Sequence, residues 1–318
     1  MSLAGGEAMV LVPVVMELVQ AVADGRREDL ARLGLAATAL FWAGAFIAGK
    51  VVLAEMTPLT VAAWRFVIAG GVLLPLALRQ FPGWPALKAS ARPLALMTCC
   101  GGIVYPWVFL AALARTSAAN TSLLIALNPI FTLCLSVFVG ERLSQRNAIG
   151  AVLALTGAAL VITRGDWAAV MQLTVLNLGD LLALLAALCW ACFNLASRGV
   201  AVRLPHVFTN GLVYGIGGVV LCVMARNEAP VDQLIDASAA AVACLAAMAI
   251  VSSVLSGLLF LQGVRVLGVN RTVIFIYLVP PLTAILSVIL LGEPLHLAQI
   301  AGGALALSGV YWATKPGR

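Results

Sequence analysis

Charge is what this sequence has least of. Only 10% of its 318 residues are Asp, Glu, Lys or Arg, where an ordinary globular chain carries about 25%. Apolar residues fill 63% of it, against roughly 45–50% elsewhere. A water-soluble fold of this length could not hide that much apolar surface, so the solvent for most of the chain is lipid. The net charge of +6 does not point to nucleic acid. The basic residues are scattered through short gaps between apolar runs.

Other scarcities exclude other classes. None of the 13 acids falls near the middle of an apolar run: Glu7, Glu17, Asp24, Glu28, Asp29, Glu55, Glu141, Asp166, Asp180, Glu228, Asp232, Asp236 and Glu293 lie in a tail, in loops or at run ends. His206 and His296 are also at run ends. Proton relays usually keep Asp, Glu or His within the membrane. An intramembrane enzyme needs a nucleophile with its base, or an acid–base cluster, at that depth. Neither is visible, and no stretch is left for a soluble sensor domain. No catalytic residue, metal ligand or cofactor is assigned. The seven cysteines all sit inside apolar runs. Cys189 and Cys192 form a C-x-x-C with no partner pair elsewhere, and are read as packing residues rather than as a redox or metal motif. A cationic drug finds no buried counter-charge, so neutral or zwitterionic solutes fit better.

What is there is a series of apolar runs. A spanning helix needs about 20 mostly apolar residues. Ten runs qualify: 31–54, 58–79, 94–114, 117–139, 146–164, 178–199, 205–225, 241–264, 272–291 and 297–314. Residues 1–30 read as a loose or interfacial cytoplasmic tail. Its stretch Met9–Ala23 carries Pro13 and Glu17 and lacks the marks of a signal peptide. With the N-terminus inside, 14 of the 19 Lys and Arg fall in cytoplasmic segments and only Arg115, Arg164 and Arg226 outside. The positive-inside rule therefore places both termini in the cytoplasm. The expectation is a multi-pass protein of a bacterial inner membrane.

The chain also repeats itself. Gly140-Glu141-Arg142-Leu143 recurs 152 residues on as Gly292-Glu293-Pro294-Leu295. The same offset carries Pro129 to Pro281, Gly150 to Gly302 and Gly157 to Gly309. Trp42 matches Trp190, and Lys50 matches Arg198, at an offset of 148. Each repeat, 31–165 and 178–316, has five runs. Five is odd, so the second repeat enters the membrane the other way up. Inverted repeats are a recurring transporter plan, with the site near the midplane where the halves meet. The fold class expected is all-α, ten transmembrane helices in two inverted five-helix repeats around a central cavity.

Each repeat closes with P-x(10)-G-E and then a G-x(6)-G run. In this the chain resembles the drug/metabolite transporter superfamily, specifically its EamA group, over about residues 30–316. Within that group it is similar to the bacterial aromatic amino-acid exporters. The resemblance implies a basket in which the first four helices of each half surround the cavity and the fifth and tenth pack outside.

Candidate site residues follow from placement. Trp42, Phe46 and Lys50 are four residues apart, as are Trp190, Asn194 and Arg198, so each set shares a helix face. One reading has the tryptophans facing each other across the cavity and stacking on a flat substrate; the other has them filling space. Lys50 and Arg198 near run ends suit snorkelling to headgroups. A proline frees the carbonyl four residues earlier. Pro129, Pro280 and Pro281 thus free those of Ile125, Ile276 and Tyr277 for protein, water or a ligand, alongside the Asn128 side chain. Tyr105 and Pro106 make a similar break. These prolines are hinge or kink candidates. Arg65 lies two turns into its run, and a cation at that depth is a functional candidate by default. It either holds a substrate carboxylate or pairs structurally, with Glu55 as one partner. Tyr214, Ser253, Ser256 and Tyr277 add hydroxyls.

The function expected is export of small zwitterionic or neutral metabolites, amino acids including aromatic ones, by alternating access and without a cofactor. The partners expected are the solute and the bilayer, not nucleic acid, with the chain acting as a monomer. Facilitated diffusion and proton coupling both stay open, as do nucleosides or drugs as cargo.

Overall fold

The computed structural model describes residues 4–138, 140, 145–163, 177–201, 203–267 and 275–314. Among them every regular element is a helix. In chain order they are α1 (Ala4–Leu53), α2 (Pro58–Arg79), α3 (Trp84–Ala89), α4 (Ala91–Met97), α5 (Tyr105–Leu113), α6 (Ala118–Ile125), α7 (Asn128–Val137) and α8 (Gln145–Thr163). Then come α9 (Leu178–Ala201), α10 (His206–Ala225), α11 (Pro230–Asp236), α12 (Ala239–Ala247), α13 (Ser256–Leu267), α14 (Val279–Leu291) and α15 (Leu297–Thr314). Two wide π-helical turns, Thr98–Val104 and Met248–Leu255, join α4 to α5 and α12 to α13.

Seven stretches are long and apolar enough to cross a bilayer: 27–53, 58–79, 91–113, 118–137, 178–200, 206–228 and 239–260. Two shorter apolar helices, Val279–Leu291 and Leu297–Trp312, follow. The chain is therefore a multi-pass membrane protein. One run expected from sequence, 272–291, begins outside the described residues. The tail expected to be loose or interfacial is helical from Ala4 and continuous with the first span.

Helix starts have local causes. Thr57 precedes Pro58, and its hydroxyl accepts from the Thr60 amide. Ser117 caps α6 through the Asn120 amide, 3.1 Å away. Ser238 caps α12 through the Ala241 amide, 3.2 Å away. Each hydroxyl takes one of the donors a helix start leaves unpaired.

The interruptions have causes too. Pro129 has no N–H to give the Ile125 carbonyl. The chain breaks between α6 and α7, and Asn128 Nδ2 donates to that carbonyl at 3.0 Å. Of the partners expected for the Ile125 carbonyl, the structure shows a protein donor, the neighbouring side-chain amide. Near Pro106 the break lies one turn earlier, in the π turn 98–104. The π turn 248–255 contains no proline at all. There the hydroxyls of Ser253 and Ser256 donate to the carbonyls of Met248 and Val251, each five residues back, at 3.1 and 2.9 Å.

Two pairs of long helices meet backbone to backbone, and the π turn 98–104 meets α10 in the same way, where a Cβ on Gly217 would lie 2.3 Å from the Gly102 carbonyl oxygen. In α2 and α10, a Cβ on Gly70 would lie 2.9 Å from the Gly215 backbone, and one on Gly218 2.8 Å from Val67 N. In α8 and α15, a Cβ on Gly157 would lie 2.4 Å from Ala306 N, and one on Gly309 2.4 Å from Ala154 N. Glycine is required at these contacts for lack of space. By contrast, Gly71 meets nothing within 4 Å.

Candidate functional site

Arg65 is half-buried on α2. Counting 1.5 Å per residue, it lies about 10 Å from the helix start. Its Nε donates to Ser253 Oγ at 3.0 Å, in the π turn 248–255. The guanidinium carbon stands 6.0 Å from the centre of the Phe66 ring. Tyr105 and Tyr214 are close enough to interact with it electrostatically. Tyr214 packs on Phe66 with ring centres 4.8 Å apart. Glu55, the partner considered from sequence, is engaged elsewhere: it accepts from the amide and hydroxyl of Ser238 at 2.6 and 2.7 Å. No described carboxylate forms an ion pair with Arg65.

Aromatic rings lead away from this cation. Tyr105 lies 4.8 Å from Trp190, and Trp190 stacks on Phe193 at 4.9 Å. One turn along α9 from Trp190, Asn194 Nδ2 reaches Asn128 Oδ1 at 3.4 Å. Arg65, Ser253, Tyr105, Tyr214, Trp190, Asn194 and Asn128 therefore form a connected cluster drawn from α2, the π turn 248–255 and helices α5, α7, α9 and α10.

Other expected residues sit apart from it. Trp42 makes its ring contact with a different residue from those Trp190 touches. Its ring lies 5.6 Å from Phe260, and its Nε1 donates to the Ser252 carbonyl at 3.1 Å. Ser252 Oγ donates back to the Phe41 carbonyl at 2.9 Å. Trp42 thus ties α1 to the π turn 248–255. It also lines a shallow cleft with Leu35, Thr38, Ala39, Phe260, Phe275 and Ile276. Phe46 is buried edge-on against Phe109 at 5.2 Å, inside the core. Ser256 is fully buried, its hydroxyl committed to Val251. Tyr277 is half-buried beside the cluster of Leu127 and Ile130. Pro106 and Pro280 are buried, Pro129 is half-buried and Pro281 is exposed.

The structure also assembles polar ties that the sequence did not announce, all at the end where α1 stops. Lys50 Nζ donates to the Thr116 carbonyl at 2.7 Å and stands 3.6 Å from Glu293 Oε1. It turns inward to a partner rather than snorkelling to headgroups. Glu293 also accepts from the Ala118 amide at 3.0 Å. Asp180, at 3% exposure, accepts from the Thr116 hydroxyl at 2.7 Å and from Asn120 Nδ2 at 3.4 Å. Gln299 donates to Asn120. Nearby, Glu228 accepts from the hydroxyls of Thr57 and Thr60, and Trp64 Nε1 donates to the Pro230 carbonyl at 2.9 Å. The polar side chains at helix ends were the available signal. Periodicity could not say which ends meet.

Comparison with known proteins agrees with this architecture. A model described as the EamA-like transporter family matches residues 30–163 and 177–315. The chain is 27% identical over 277 residues to "Uncharacterized transporter YyaM" of Bacillus subtilis, covering 86% of this chain and 90% of the relative. It is 27% identical over 287 residues to a "Probable terminal-alkyne amino-acid exporter" of Streptantibioticus cattleyicolor, covering 87% and 90%. It is 25% identical over 285 residues to a "Probable amino-acid metabolite efflux pump" of Salmonella typhimurium, covering 85% and 90%. A protein of known crystal structure superposes with a TM-score of 0.59 at 19% identity, covering 89% of this chain and 96% of that one.

Proposed function

We propose that this protein, which belongs to the EamA-like transporter family, exports amino acids or similar zwitterionic metabolites, aromatic ones among them. The observation that carries the reading is Arg65. It is a cation two turns into a membrane helix, with its Nε held by Ser253 and no ion-pair partner among the described carboxylates. A guanidinium so placed binds a substrate carboxylate through paired N–H donors, and Tyr105, Tyr214 and Trp190 offer ring faces beside it. Two relatives whose names contain amino-acid export support the same class.

In this reading the chain has two inverted five-helix halves, 31–165 and 178–316, that exchange conformations in alternating access. Three pairs of features support it. The π turns begin 150 residues apart, at Thr98 and Met248. Proline follows a helix break in both α7 and α14. The glycine-packed pairs, α2 with α10 and α8 with α15, each join helices at equivalent places in the sequence repeat. The carrier sits in a bacterial inner membrane with both termini cytoplasmic, works as a monomer and needs no cofactor. The Lys50 end then faces outward.

The test is flux into proteoliposomes, measured with labelled amino acids with and without a pH gradient. Saturable flux of tryptophan or phenylalanine is expected without a gradient. Absence of flux for every amino acid in both conditions ends the reading. Proton coupling is the second reading. It is favoured by Asp180, an acid at 3% exposure in a network that includes Asn120 and Thr116. Flux that runs only with the gradient selects it.

A further inference from the structure

We infer that Ser253 is the positioning residue for Arg65, and that it makes the site selective for a free carboxylate over the corresponding amide. This rests on the reading of Arg65 as the carboxylate clasp. A serine hydroxyl has one proton and two lone pairs. The proton of Ser253 is committed to the Met248 carbonyl at 3.1 Å. What remains facing α2 is an acceptor. Such an oxygen cannot donate to a carboxylate, and its lone pairs repel one. It can only receive an N–H, and it receives Arg65 Nε at 3.0 Å. Ser253 therefore acts on substrate through Arg65, not by touching it.

The π turn makes this possible. Its wider backbone lets the hydroxyl reach the carbonyl five residues back, and the extra residue in the turn changes which face of the helix the following positions present. Ser253 is itself 4% exposed, so its position is set by packing. Of the five N–H donors of the guanidinium, the one on Nε is spent. The four on Nη1 and Nη2 remain, and their two parallel N–H bonds match the two oxygens of a carboxylate end-on. A primary amide offers one acceptor oxygen and two donor hydrogens. Its NH₂ meets another donor in this fork, so the amide is rejected.

The experiment compares tryptophan with tryptophanamide as substrates of the full-length carrier in proteoliposomes. Wild type is expected to show a KM for tryptophan at least tenfold below that for the amide. Ser253→Ala is expected to raise the tryptophan KM about tenfold, keep Vmax within about twofold, and bring the acid-to-amide preference toward one. Ser253→Thr keeps the hydroxyl and is expected to restore the preference. If Ser253→Ala is not recovered folded, Ser253→Cys replaces the oxygen by a weaker acceptor of similar size and is expected to show the same loss. Full acid preference in Ser253→Ala, or in Ser253→Cys where Ala is not recovered, overturns the positioning role and leaves the Arg65 reading standing. A wild type that carries acid and amide equally overturns the carboxylate clasp itself.

Discussion

Two kinds of helix share this bundle. The pairs α2–α10 and α8–α15 run without a π turn or a break, and touch through glycine backbones. Of the spans around them, α1 and α9 also run unbroken and the others are interrupted: by π turns at 98–104 and 248–255, and by breaks ahead of Asn128 and Val279. Ser253, Tyr105 and Asn128 of the site cluster ride on interrupted spans, while Arg65 and Tyr214 stand on the continuous pair and Trp190 and Asn194 on the unbroken α9. The contrast suggests a division of labour. Close backbone contact leaves no room for sliding, because any new atom there meets main chain. The π turn 248–255 and the break at Pro129 have carbonyls held by side chains, and those contacts can be exchanged at small cost. The Arg65–Ser253 bond joins the two sets, so the site spans the boundary between the stiff and the soft parts.

The largest effect expected breaks the stiff set. Gly157→Leu places a side chain where a Cβ alone would stand 2.4 Å from Ala306 N. Overpacking of this kind costs about 3 kcal/mol, and folded carrier is expected to be largely lost in size-exclusion and thermal-melt assays. Gly71→Leu, where nothing lies within 4 Å, is expected to fold as wild type. Equal behaviour of the two variants removes the contrast.

Next comes the boundary. Arg65→Ala removes a charge-assisted pair worth about 3 kcal/mol, so apparent affinity for a carboxylate substrate is expected to fall roughly a hundredfold. The melting temperature should stay near wild type, because no carboxylate is left behind unpaired.

Smaller is the tie between Lys50 and Glu293, whose side chains are 24% and 17% exposed. Lys50→Met is expected to cost about 1 kcal/mol of stability at most. If the Lys50 end opens and closes during transport, the variant also changes Vmax more than KM. Unchanged Vmax confines Lys50 to a structural role.

Smallest is the clasp of Glu55 on Ser238. The Ser238 amide first, and its hydroxyl second, hold the Glu55 carboxyl below its ordinary value of 4.5. The folded form therefore binds its proton less readily than the unfolded form. The stabilisation is full above pH 4.5 and fades as pH falls through the lowered value. Melting curves of wild type and Glu55→Gln should differ at neutral pH and converge in acid. A difference that persists in acid means that the charge of Glu55 is not what holds α12.

Much of this was legible in one dimension. Long apolar runs predict spans, and the 58–79 run coincides with α2. Pro129 marks the break before α7, because a missing N–H is a property of the residue itself. Arg65 stood out for the same reason: its charge is costly wherever its helix lies in a membrane. Contacts between helices were not legible. Trp42 and Trp190 match in sequence yet pack on different rings, Phe260 and Phe193. The stretch 248–255 holds no proline or glycine to announce a π turn. Lys50 has the chemistry of a snorkelling residue and instead finds Thr116 and Glu293.

The sequence by itself determined that this chain lives in lipid, where its long apolar spans run, and that the backbone breaks at Pro129. Those outcomes depend on hydropathy and on hydrogen bonds each segment makes with itself. Only the tertiary structure decided which hydroxyl meets Arg65 and which ends are tied together. Those outcomes depend on the rotation of each helix about its axis. One wide turn resets that rotation, and no residue type records it.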